Sequence, residues 1–116
     1  MIVVDVVLDD AGLLRSCVVQ GHAGAGPRGS DVVCAAVSIL ARTALRTLSV
    51  TEGVTVRGGA PERGAFGMEV DCDRSAAVRL SATTDFLMEG FRSVAEDHPD
   101  HCTIRIRKER RQDNGS

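Results

Sequence analysis

The sequence predicts an α+β domain of two layers, in the order β-β-α-β-β-α-β, with a small mixed or antiparallel sheet packed on two helices. Five short β-branched or alternating segments, two long segments with helical periodicity and short links between them predict it. The length of 116 residues suits a single domain with one core.

Residues 2–8 are strongly β-branched, Asp9 to Gly12 supply turn chemistry, and Leu13 to Val19 resume an extended apolar pattern, which together read as a hairpin. Residues 20–30 hold four glycines and one proline and read as a loop. From Asp31 to Ser49, Val33, Val37, Leu40, Ala44 and Leu48 recur at helical spacing, while Ala35, Ala36, Ile39, Ala41 and Leu45 fill the other faces. Such a helix is expected to be buried on most sides, and a single small sheet cannot cover it, so a second copy of the chain is expected to do so.

Gly53 ends that helix, and Val54–Arg57 and Phe66–Asp71 read as two strands joined by the connection Gly58 to Gly64. Ser75 is positioned to cap a second helix of about 22 residues. Leu80, Thr84, Leu87, Met88, Phe91, Val94 and Ala95 mark its apolar face, and His98-Pro99 marks its end. Cys102 to Arg107 alternate as a final strand. A single domain over 1–107 is therefore expected, followed by a charged, disordered tail at 108–116.

Composition excludes several functions. Lys and Arg number 14 against 16 acidic residues, a formal net charge of −2, and there is no Trp or Tyr, so neither an aromatic nucleic-acid platform nor direct nucleic-acid binding is expected. No run of about 18 uninterrupted apolar residues suggests a membrane span, and Met1 to Asp5 lack the pattern of a signal peptide, so a cytoplasmic protein is expected. The four cysteines, at 17, 34, 72 and 102, form no Cys-x-x-Cys pair, so neither a zinc knuckle nor a disulfide framework is expected.

The chemistry concentrates between residues 21 and 38. Cys34 falls in the first turn of the apolar helix, where unpaired amides and the positive dipole end favour a thiolate. His22, twelve residues earlier in the loop with Gly21, Gly24, Gly26 and Gly29, is placed to take the thiol proton and return it to a leaving amine. With helix-start amides as oxyanion donors, the set implies acyl transfer, most simply peptide hydrolysis. Each residue also has a plainer reading. Cys34 as a packed core thiol, His22 as a solvated loop residue, Asp31 as an N-cap and Ser38 as a hydroxyl bonding back to the helix all remain open. Cys17, Cys72 and Cys102 read as core residues, and His98 and His101 lack metal-ligand spacing. The basic run Arg105 to Arg111 reads as a solvated strand and tail, with a ribosome-associated, non-catalytic peptide- or RNA-binding module as the alternative function.

Gly21-His22-Ala23, then Gly29-Ser30-Asp31-Val32-Val33-Cys34-Ala35-Ala36 and Ser38, resemble in order the signature of the ribosomal-processing cysteine proteases called Prp. The resemblance implies Cys34 as nucleophile, His22 as base, and supporting roles for Asp31 and Ser38. It further implies a homodimer without metal or organic cofactor, acting on the N-terminal extension of large-subunit ribosomal protein twenty-seven. Many relatives carry an aromatic or acidic residue in the loop where this chain has Gly24 to Arg28.

Overall fold

The computed structural model describes residues 1–21, 30–62 and 65–110. Its elements are β1 (Ile2–Leu8), β2 (Leu14–Gln20), α1 (Ser30–Ser49), β3 (Val54–Glu62), β4 (Ala65–Cys72), a 3₁₀ turn (Arg74–Ala76), α2 (Ala77–Asp97) and β5 (Cys102–Lys108). The five strands form one mixed sheet in the order β3-β4-β2-β1-β5, antiparallel except for the parallel pair β1–β5. That pair requires a crossover, which the chain supplies through both helices. The α+β, two-layer reading therefore holds.

Local chemistry explains the turns. Asp9 is buried and its carboxylate accepts the amides of Ala11 and Leu13, both at 2.9 Å, so Leu13 belongs to the turn and β2 begins one residue later than expected. Gly12 turns with φ 83°.

Two expectations need correction. Gly58 and Gly59 do not begin a turn, because β3 continues through them to Glu62. A β-carbon on Gly58 would stand 2.0 Å from the carbonyl oxygen of Gly67, so the glycine serves close approach of two paired strands. Ser75 does not cap the second helix, since it lies inside the 3₁₀ turn, where its hydroxyl donates to Asp73 Oδ1 at 2.5 Å. At the C-terminal end, β5 includes Lys108, and the amide of Glu109 donates to the carbonyl of Leu8 at 2.8 Å. Residues 111–116 of the expected tail lie outside the described residues.

The core lies between the sheet and the helices. Ile2, Val4 and Val6 of β1, Cys17 and Val19 of β2, and Phe66, Met68 and Val70 of β4 meet Val33, Val37, Ala41, Ala44 and Leu48 of α1. From α2 come Leu80, Leu87, Met88 and Phe91, with Thr84 buried among them. The Thr84 hydroxyl donates to the Leu80 carbonyl at 2.7 Å and accepts the Leu14 amide at 3.2 Å, which satisfies the one polar side chain on that face. Each large aliphatic side chain so buried contributes about 2 kcal/mol.

The expectation that α1 is buried on most sides fails within one copy of the chain. By length and composition Val32–Ser49 could cross a membrane, yet only 28% of it is buried, and Val32 and Ile39 are exposed. The sheet covers one face of the helix and α2 covers one flank, which leaves its outer surface exposed.

Burial pushes the Cys17 thiol up to about 12, with the charge of Asp5 adding, and burial also raises Cys102. Between pH 9 and 12 the unfolded chain releases the Cys17 proton while the folded chain keeps it. Stability from this group is therefore complete below pH 9 and is lost as pH rises towards 12, at up to about 1.4 kcal/mol per pH unit. Urea unfolding midpoints should fall over that range in the native protein and fall less steeply in Cys17→Val.

Candidate active site

Cys34 is the fifth residue of α1, because the helix begins at Ser30, one residue earlier than expected. The unpaired amides of the helix start accordingly belong to residues 30–33, beside the thiol. A helix of 20 residues is about 30 Å long, and its far end connects through Thr51–Gly53 to the first residue of β3. Its N-terminal end therefore stands at the opposite end of the sheet. There β2 finishes at Gln20, which is paired with Val3 and Ala65.

The position of α2 decides which way Cys34 points. Gly90 of α2 leaves the space into which Leu40 of α1 fits, since a β-carbon there would stand 2.7 Å from Leu40 Cδ2. Six residues separate Leu40 from Cys34, which at 100° per residue places them about 120° apart around the helix. Cys34 thus lies on the flank of α1 turned away from α2, next to the buried row of Val33 and Val37. Ser38, one turn on, shares that flank, and both side chains are half-buried.

This exposure separates Cys34 from two of the other thiols. No disulfide joins the four cysteines; Cys17 and Cys102 are buried, and burial holds both protonated. Cys72 is half-buried at the end of β4, which lies with Val54 at the end of the sheet remote from the start of α1. Only Cys34 combines partial exposure with a helix start.

Gly21 is described at the end of β2, with φ 137°. His22, Gly24, Gly26 and Gly29 lie outside the described residues, and of Asp31 only the backbone, in the first turn of α1, is described. The structure thus brings Cys34 and Ser38 onto one flank and sets Asp31 in the turn before them. The flank on which they lie had no signal in the sequence, because it depends on where α2 packs.

Within the basic run, Arg105 and Arg107 are paired with acidic side chains. Arg105 binds Asp5 through two contacts, Nε to Oδ1 at 2.8 Å and Nη2 to Oδ2 at 3.0 Å, and Arg107 lies 3.6 Å from Glu109. The Arg105 guanidinium holds the Asp5 carboxyl below the usual carboxylate range. On the same sheet face Arg57 pairs with Glu69 at 3.5 Å, and Arg15 pairs with Asp71. Among the described residues no group of three or more His, Cys, Asp or Glu side chains is placed to hold a metal ion. His98 ends α2, its amide donating to Val94 and its carbonyl accepting the amides of His101 and Cys102.

Residues 1–103 match the family model described as cysteine protease Prp. No curated protein sequence matches the chain. Among solved structures, SMU.848 from Streptococcus mutans is similar, at 27% identity and a TM-score of 0.77, over 94% of this chain and 96% of that one. An essential ribosomal processing protease Prp from S. aureus, in complex with a substrate peptide, is similar at 17% identity and a TM-score of 0.79, over 92% of this chain and all of that one. The S. aureus protease with a covalently linked product peptide is similar at 18% identity and a TM-score of 0.76, with the same coverage.

Proposed function

The chain belongs to the cysteine protease Prp family, and from that premise we propose that it removes the N-terminal extension of large-subunit ribosomal protein twenty-seven during ribosome maturation in the cytoplasm. The observation that carries this reading is the placement of Cys34 at a helix start, half-buried, in a family of cysteine proteases. The S. aureus relative, solved with a substrate peptide and with a covalently linked product peptide, supports a peptide substrate.

In this mechanism His22 takes the proton of Cys34, and the sulfur attacks the scissile carbonyl carbon. Helix-start amides hold the resulting oxyanion. The carbon–nitrogen bond then breaks, His22 gives its proton to the leaving amine, and a thioester remains on Cys34. Water, deprotonated by His22, attacks the thioester and restores the thiol. Asp31 and Ser38 support the site, Gly21 stands at the base of the loop, and Gly24, Gly26 and Gly29 give the loop backbone freedom to approach the substrate. The proteolytic unit runs past residue 107 to the end of β5, where Lys108 and the amide of Glu109 pair with Leu8 of β1.

We also infer that the working form is a homodimer joined through the outer surface of the helical layer. Val78 and Phe86 of α2 are 81% and 74% exposed, and Val32 and Ile39 of α1 are exposed as well. Leu40, Thr43 and Thr47 of α1 and Ala82, Thr83 and Phe86 of α2 line a mostly apolar groove of about 450 Å³. A two-fold arrangement inserts Phe86 of each copy into the groove of the other and covers the uncovered face of α1.

Incubation with a peptide spanning the ribosomal-protein extension should give a single cut, lost by at least about 1,000-fold in Cys34→Ala and in His22→Ala, as read by mass spectrometry. Cleavage that survives Cys34→Ala contradicts the mechanism. In sedimentation velocity the native chain should run at twice its monomer mass and Phe86→Glu at the monomer mass.

A further inference from the structure

The first residue after β2 meets an obstacle that the sheet holds in place. A β-carbon on Gly21 would stand 2.4 Å from the carbonyl oxygen of Met1, 3.0 Å from Ile2 Cα and 3.2 Å from Ile2 Cδ1. The first two are main-chain atoms of the segment that opens β1, and that segment cannot withdraw. Ile2 is buried and paired with Cys102, and its amide donates to the His101 carbonyl at 2.8 Å. His101 is held in turn, its amide donating to the His98 carbonyl at the end of α2 at 3.0 Å. The φ of 137° adds a second reason for glycine, since an L side chain rarely adopts it.

The geometry points to Gly21 as a positioning residue for the proteolytic reaction: its bare α-carbon, seated against the Met1–Ile2 backbone, sets the direction in which the chain leaves β2 to carry His22. This rests on the reading of His22 as the base. The brace combines β1, the His98–His101 turn and the start of β5, so the backbone at Gly21 is held by elements more than 75 residues apart in sequence. Gly12 provides the comparison. It too has a positive φ, 83°, but no atom lies within 4 Å of its β-carbon position, and its turn stands at the far end of the sheet.

The test compares Gly21→Ala with Gly12→Ala, each verified as folded by circular dichroism, on the extension peptide. Gly21→Ala should lose about 100-fold in kcat with KM within twofold of native, as expected when a reacting group is misplaced by about 1 Å. Iodoacetamide modification of Cys34, followed by peptide mapping, should slow in the same variant. Gly12→Ala should keep the native kcat while unfolding at lower urea. A chain with D-alanine at position 21, assembled by ligation at Cys34, accepts the positive φ and should recover most of the lost kcat. It also serves as the test if Gly21→Ala does not fold. Native kcat in folded Gly21→Ala, equal losses in both alanine variants, or an inactive D-alanine chain overturns the inference. Full activity in His22→Ala overturns the assignment of the base as well. Loss in His22→Ala with native kcat in Gly21→Ala overturns this inference alone.

Discussion

The burial of one face of α1 on the sheet is the constraint on which the rest depends. Val33, Val37, Ala41, Ala44 and Leu48 must all reach the sheet together, and that requirement fixes the rotation of the helix about its axis. Cys34 follows Val33 by one residue, so once the row is seated the thiol is carried to the edge of the buried face. Leu40 packed into the space left by Gly90 places α2 on one flank and leaves Cys34 and Ser38 on the other. The nucleophile's role proposed for Cys34 needs a thiol that is reachable yet held, and a residue bordering a buried row meets both conditions.

The same core explains why Cys17 and Cys102 do not share the surroundings of Cys34. Cys17 pairs with Val6 and faces the core, where low polarity favours the neutral thiol; Cys102 opens β5 opposite Ile2 in the same environment. Burial and partial exposure are thus divided among residues of one type by their place in the fold, and the proposed mechanism divides packing and chemistry among them in the same way. The exposed half of α1 belongs to the same account, because a helix apolar on several faces needs more than a five-stranded sheet to cover it.

Much of this was legible in the sequence. The row on α1 and the face Leu80, Thr84, Leu87, Met88 and Phe91 on α2 were readable from a period of 3.6, and all five strands from alternation or β-branching. Leu40 was the exception in its row, being half-buried against α2. The glycine pair at 58 and 59 read as a turn because glycine marks turns more often than close strand contacts, and the contact partner, Gly67, lies on another strand. Ser75 misled in a similar way, since a serine before a helical period suits a cap and the interposed 3₁₀ turn has no pattern of its own. At the site, the helix-start position of Cys34 could be read locally. Its flank and the brace beneath Gly21 could not, because both depend on contacts with α2, β1 and β5.

The claim that Cys34 forms the covalent intermediate is tested most directly by acid-quenching the native protein within its first turnover of the extension peptide and mapping the added mass. The account predicts one acyl group, the N-terminal product peptide, joined as a hydroxylamine-labile thioester to the fragment containing Cys34. Cleavage at full rate with no mass added to that fragment, or an acyl group on Cys72, would contradict it.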